Sequence, residues 1–341
     1  MGSAHTPIHR LTLAKMARVF SGIQPSGDLH LGNLLGALMN WVDHQKEHDS
    51  FYCIVDLHAL TLPKDPEELR TNTLELAQLL MAVGLDPENC TLFAQSHVPE
   101  HSQLAWLMEC TVSYGELSRM TAFKDKSDRS DFISAGLFTY PALQAADILL
   151  YDTDLVPVGD DQRQHLEITR DIAERFNNRF GETFVVPQHV IPPVGARVMD
   201  LQNPERKMSK SQTSINGTIN VLEPPDSVRK KIKRAITDSG DEVTFDFENK
   251  PGVSNLLSIL GAATGEPPNK IAGSYERYGD LKSATADAVV ELLNPIQQRF
   301  AELQADPEET KRLLKIGAGK AQQVASKTLS RAKRNCGFLE A

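Results

Sequence analysis

Two short segments of the 341-residue chain carry residues suited to handling a polyphosphate. The first is Phe20 to Asn33, FSGIQPSGDLHLGN. Here Gly22, Pro25, Ser26, Gly27 and Gly32 crowd between an apolar run ending at Phe20 and an apolar-periodic segment opening at Leu34. Glycines let backbone N–H groups approach a ligand, and a helix starting near Gly32 turns its positive end toward any anion there. His30-Leu31-Gly32-Asn33 adds a side-chain donor, a bare glycine and an amide at that helix start. The second segment, Lys207-Met208-Ser209-Lys210-Ser211, sets two lysines three positions apart beside two hydroxyls. Two ammonium groups on a loop follow polyphosphate charge as it moves from substrate to leaving group, which suits phosphoryl or nucleotidyl transfer. Each segment alone also fits an ordinary turn or a solvated surface loop. Placed after the first and the last strand, they point together to a nucleotide site.

The elements that must hold these segments alternate. A strand ends at Phe20, a helix runs from Leu34 to Asp43, a buried strand covers Phe51 to Val55 and ends in Asp56-Leu57-His58, and a helix opens at Pro66 and closes at Gly84. Thr91 to Ala94 is the next strand. Strands and helices alternating with short joints predict an α/β fold with a doubly wound parallel, Rossmann-like sheet whose ligands sit where strands stop. From about 99 to 150 the pattern is helical, an insertion between sheet halves; the sheet resumes at Asp154 to Val158, and Val194 to Leu201 is expected to give the last strand. Past Val221 only helical patterns remain. The expected organisation is a tail over 1–16, a catalytic domain over 17–220, and over 221–341 an all-helical C-terminal domain with a final helix that packs back on the sheet.

Composition narrows the class. Hydrophobic residues make up 40% and charged residues 24%, an ordinary soluble balance, and no apolar run reaches membrane-spanning length. Cys53, Cys90, Cys110 and Cys336 lie too far apart for a zinc or disulfide framework, so no protein-held metal is expected and a reducing, cytoplasmic home fits. A net charge of −9 excludes an all-over basic coat but leaves two local runs, Arg229 to Arg234 and Lys311 to Arg334. Such runs read as solvated helix faces, or as RNA contacts where the chemistry depends on RNA.

With those residues in view, the chain resembles a known family. His30 to Asn33 looks like the HIGH motif and Lys207 to Ser211 is a KMSKS motif, the pair that marks class I aminoacyl-tRNA synthetases. GIQPSG (22–27), FYCIVDLHA (51–59), AADILLY (145–151), VPVGDDQ (156–162) and VGARVM (194–199) resemble tryptophanyl-tRNA synthetases of the bacterial and organellar kind, in order, from about Arg18 to the last helix. The resemblance implies ATP contacts from Gln24, Pro25, Ser26, Gly32, Asn33, Gly159, Asp160, Asp161, Val198 and Lys207 through Ser211. It also implies donation to phosphate by His30, with Lys126 at the pyrophosphate end; the segment KDKSDRSD around Lys126 reads equally as a solvated charged loop. Mg²⁺ would be held mainly by ATP oxygens.

For the amino acid, Asp147 is the expected partner of an indole N–H, because a lone carboxylate on an apolar stretch needs a bonded partner. Phe20, His58, Val156 and Val158 would wall the ring, and Tyr140, Gln162 and Gln24 would hold the ammonium and carboxylate; His58 reads equally as a core histidine. Tyr140-x-x-x-Gln144-x-x-Asp147 is also the pattern of tyrosyl enzymes, so tyrosine specificity is the alternative. Against it, Phe20 stands where the tyrosyl type places a Tyr, removing a phenol partner. The implied reaction is activation of L-tryptophan by ATP to tryptophanyl-adenylate, then transfer to tRNA(Trp) by a homodimer, with Trp106 and Met108 as candidate interface residues. A related nucleotidyltransferase without tRNA and a catalytically silent RNA-binding paralogue are the readings from other classes.

Overall fold

The computed structural model describes residues 16–27, 29–121, 133–159, 162–190, 197–209 and 215–339. Strand β1 (Arg18–Ile23) leads through the glycine-rich loop to a short helix, α1 (Leu31–Asn33), a π-helical stretch over Leu34–Leu38, and α2 (Met39–Glu47). Then come β2 (Asp49–Ile54), α3 (Asp56–Ala59), α4 (Pro66–Val83) and β3 (Thr91–Ala94). Asp65 caps α4 through Glu67 and Glu68 N–H, Pro66 sits in its first turn and Gly84 ends it at φ 123°, as proline-start and glycine-stop signals require. The helical insertion supplies α5 (Glu100–Glu109), α6 (Tyr114–Ser118) and α7 (Ala135–Leu149) before β4 (Leu155–Pro157), α8 (Arg163–Phe180) and β5 (Gln188–Val190). The remainder is helical: α9 (Pro225–Lys233), α10 (Pro251–Thr264), α11 (Pro268–Ala272), α12 (Tyr278–Ala305) and α13 (Pro307–Asn335).

Among the described residues, five strands form one sheet in the order β3-β2-β1-β4-β5, every pairing parallel. This is the expected doubly wound α/β architecture with its helical insertion and helical C-terminal part. Both faces are covered, which is why residues 51–54 of β2 and 92–94 of β3 run apolar rather than alternating. Alternate residues still part: Tyr52 and Ile54 join a core with Leu31, Leu34, Leu80, Val228, Leu256 and Val289, whereas Phe51, Cys53 and Val55 join one with Leu104, Ala146, Leu166 and Ala325. The first core unites the sheet with α9, α10 and α12.

Among the described residues, the last strand of the sheet is not the one expected over Val194 to Leu201. Residues 194–196 lie outside the described residues, and 197–201 contributes an isolated antiparallel bridge, Met199 to Lys207. The fifth strand comes earlier, at Gln188–Val190, a polar edge strand whose Gln188 and His189 are exposed and so carry no apolar signal. The final helix does pack back on the sheet, lying along β3. A Cβ on Gly317 would stand 1.9 Å from Leu92 O, so only glycine permits this approach, and the free edge of β3 is covered.

The two basic runs are largely spent inside the chain. Lys231 is buried, with Nζ 2.7 Å from Glu223 Oε1 and 2.8 Å from Thr218 O, and Arg229 pairs with Asp287. On the last helix, Lys320 donates to Pro87 O, Lys333 to Gln103, and Arg331 to Thr183 O and Asp152. Lys230, Lys233 and Arg234 stay exposed.

Candidate active site

The switch point of the sheet lies between β1 and β4, where crossover connections leave in opposite directions, and a cavity of about 570 Å³ opens there. Each strand contributes by its register. β1 gives Phe20 and Gly22, where an added Cβ would meet Val55 Cγ1 at 2.9 Å, and β4 gives Val156, followed by Val158 and Gly159. Helix α7 gives Tyr140, Gln144 and Asp147, one helical face at i, i+4, i+7. All eight residues expected around the amino acid, Phe20, Gln24, His58, Tyr140, Asp147, Val156, Val158 and Gln162, line this one cavity. Gly159, expected near ATP, lines it too.

Asp147 is 1% exposed and heavily bonded. Its Oδ1 accepts from Gln95 Nε2 at 2.6 Å and lies 2.6 Å from His101 Nδ1, and its Oδ2 is 2.8 Å from His58 Nε2. Burial pushes the carboxyl up, but the hydrogen bonds from His101 and His58 outweigh it and hold the group at about 2. His58 is therefore both things at once, a bonded core histidine and a cavity wall. Tyr140 Oη is 2.6 Å from His165 Nε2, and burial raises its hydroxyl to about 12. Gln144 makes no hydrogen bond to any described residue while lining the cavity.

The two phosphate-handling segments meet beside this cavity. Leu31 N donates to Ile219 O and Val221 N to Leu29 O, each at 2.8 Å, so the HLGN turn is stitched to the strand-like stretch after the lysine loop. Met208 N donates to Val198 O at 3.0 Å and Thr218 Oγ1 to Ser209 O at 3.2 Å, which fixes the start of that loop. A Cβ on Gly32 would lie 3.0 Å from His30 Nδ1 and 3.6 Å from Met208 Cβ; the glycine makes room for the histidine ring and for the other motif. His30 caps its own helix, Nδ1 accepting from Asn33 N at 3.3 Å while Asn33 Oδ1 accepts from His30 N at 3.2 Å. With Nδ1 an acceptor, the ring hydrogen sits on Nε2, which is then a donor. Gly27, at φ 90°, turns the preceding Pro25-Ser26 segment in a conformation that favours glycine.

Pro25, Ser26, His30, Gly32, Asn33, Val198, Lys207, Met208 and Ser209 thus lie in the stitched loops rather than in the cavity lining. Lys126, Asp160, Asp161, Lys210 and Ser211 lie outside the described residues. Sequence reasoning missed Gln95 and His101, which bond Asp147, Tyr151, which bonds His101, and His165, which bonds Tyr140. Gln95 had a signal, a polar residue just past the end of β3 on the ligand-bearing edge of the sheet. His101 had none, being one polar residue among several at the start of its helix. Of the candidate interface pair, Met108 is core and fully buried, whereas Trp106 is 64% exposed.

Comparison with known proteins agrees along the whole fold. Residues 13–294 match the family described as tRNA synthetases class I (W and Y). The tryptophan-tRNA ligase of Caldanaerobacter subterraneus subsp. tengcongensis is 53% identical over 326 residues, covering 95% of this chain and 99% of that protein. The crystal structure of tryptophanyl-tRNA synthetase from Mycoplasma pneumoniae superposes with a TM-score of 0.88 at 40% identity, covering 95% of this chain and 98% of that one. The Campylobacter jejuni tryptophanyl-tRNA synthetase, solved in complex with ADP and tryptophan, gives 0.80 at 35% identity, covering 94% and 100%.

Proposed function

This chain belongs to the class I tRNA synthetases for tryptophan and tyrosine, of the bacterial tryptophanyl type, and from that membership and its cavity we infer how it works. It is a tryptophan-tRNA ligase: it activates L-tryptophan with ATP to tryptophanyl-adenylate, releasing pyrophosphate, and transfers the acyl group to tRNA, releasing AMP. In the first step the tryptophan carboxylate attacks the ATP α-phosphate in line. No covalent enzyme intermediate is needed, so positioning and charge stabilisation supply the acceleration.

The positions of the cavity residues and of the two motifs support the following roles. Asp147 Oδ2 accepts the indole N–H, Phe20, His58, Val156 and Val158 wall the ring, and Gln24, Tyr140 and Gln162 hold the ammonium and carboxylate. His30 Nε2 and Lys207 meet the phosphates, with Gln24, Pro25, Ser26, Gly32, Asn33, Gly159 and Val198 around the nucleotide. Lys126, Asp160, Asp161, Lys210 and Ser211 join them by motif position. Mg²⁺ arrives on the ATP oxygens and neutralises part of the pyrophosphate charge. The helices beyond Val221 read the anticodon of tRNA(Trp), and Lys230, Lys233 and Arg234, which remain exposed, are their phosphate contacts. The enzyme works in the cytoplasm as a homodimer, for which exposed Trp106 and Tyr114 mark the contact face.

The observation that carries tryptophan over tyrosine is the buried, bonded Asp147 in the lining of a cavity whose first-strand wall is Phe20. Amino-acid-dependent ATP–pyrophosphate exchange tests it. Exchange should proceed with tryptophan and not with tyrosine, and Asp147→Ala should raise KM for tryptophan by roughly tenfold or more, the worth of a hydrogen bond to a charged acceptor. Faster exchange with tyrosine would overturn the assignment.

A further inference from the structure

We propose that His101, which does not touch the cavity, is a positioning residue for amino-acid selection: it fixes Asp147 so that the carboxylate offers the ring one acceptor site and no donor. The inference rests on the reading that Asp147 receives the indole N–H.

The geometry behind the cavity wall is closed. His101 and Tyr151 are both fully buried, with His101 Nδ1 2.6 Å from Asp147 Oδ1 and His101 Nε2 2.7 Å from Tyr151 Oη. An ionised carboxylate has no hydrogen to give, so Nδ1 carries it, and Nε2 accepts the Tyr151 O–H. Tyr151 is itself clamped, its ring stacked on Phe51 with centroids 4.8 Å apart and on Phe20, a cavity wall, at 5.5 Å. Gln95 is oriented in the same way: its Oε1 accepts Leu57 N–H at 3.2 Å, which turns its NH₂ to Asp147 Oδ1.

Counting lone pairs gives the consequence. Oδ1 takes two hydrogen bonds, from Gln95 and His101, and is filled. Oδ2 takes one, from His58, and keeps one site. The three donors around this carboxylate direct their hydrogens to it. An indole N–H brings a hydrogen and has no lone pair to satisfy. A phenol brings a hydrogen and also lone pairs, to which none of the three donors committed to this carboxylate can give a hydrogen, and an unpaired buried acceptor is costly. Loss of the His101 hydrogen would open a site on Oδ1 and let the carboxylate turn away from the ring.

The test measures kcat and KM for tryptophan and for β-(3-benzothienyl)alanine, which carries sulfur in place of the ring N–H, by ATP–pyrophosphate exchange. The wild type should favour tryptophan by about ten- to a hundredfold in kcat/KM. An absence of that preference would overturn the reading of Asp147, and the proposal with it. His101→Gln reaches Tyr151 but leaves Oδ1 without its donor, and should shrink the preference to about threefold or less, through KM for tryptophan and with KM for ATP unchanged. His101→Asn keeps an N–H where Nδ1 stood and should retain most of the preference. Equal losses for both substrates, with the preference intact in His101→Gln, would make His101 a packing residue and overturn the proposal. Should either variant fail to fold, Tyr151→Phe decides: a preference lowered several-fold supports the relay, and an unchanged one overturns it.

Discussion

Asp147, at the proposed amino-acid end of the site, is 1% exposed with three donors on it, while Lys207, at the proposed nucleotide end, is exposed and tied to the fold by a backbone bridge to Met199. Both ends carry charge, but they use it differently. The carboxylate is solvated by protein before any ligand arrives, so recognising an indole costs no reorganisation there. The lysine is exposed at the start of its loop, and its charge acts only once a polyphosphate is present. On the proposed roles, the amino-acid end serves discrimination and the nucleotide end the stabilising of charge that develops during reaction.

The largest effect expected from this contrast is on the lysine. Lys207→Ala should lower kcat for adenylate formation by about 10²–10³, the usual consequence of removing one group that stabilises transition-state charge, with KM for tryptophan unchanged. Single-turnover formation of tryptophanyl-adenylate measures it. A variant that instead lost tryptophan affinity would show the two ends to be one coupled unit.

Acid stability sharpens the other side. The Asp147 carboxyl titrates at about 2 in the folded protein against 3.8 for the free group. A depressed folded pKa gives stability that is present above about 3.8 and is lost as pH falls toward 2. The gap corresponds to about 2–3 kcal/mol, on the order of sixtyfold in the folded-to-unfolded ratio. Urea unfolding followed between pH 5 and pH 3 should show the start of this loss in the wild type and not in Asp147→Asn, which has no carboxyl to protonate. Equal acid sensitivity in both would place the loss elsewhere.

How much of this was legible in the sequence follows from range. β2 and β3 announced themselves because strands buried on both faces are continuously apolar, whereas Gln188-His189-Val190, an exposed edge, carried no such signal. The cavity residues came from motif words lying in separate loops, and the parallel sheet brought them together because it gathers strand ends on one edge. The holding groups were not legible. Whether His101 meets Asp147 or merely fills space depends on how α5 crosses α7, and spacing along one helix says nothing of that. The basic runs misled for the same reason: the pairing of Lys231 with Glu223 and of Arg331 with Asp152 is visible only once the helices are docked.

Gln144 gives the smallest and most searching prediction. Its amide lines the cavity one turn of α7 from Asp147 and bonds to no described residue, so the wall it forms is polar in type and unengaged in fact. If selection rests on the bonded carboxylate, replacing this amide by a side chain of similar volume should matter little. Gln144→Met is expected to change KM for tryptophan by less than about threefold, within the range of a volume-conserving exchange, and to leave tyrosine inactive in pyrophosphate exchange. A tenfold rise would mean that the amide reaches the substrate directly, and that discrimination is shared along α7 rather than concentrated at its buried acid.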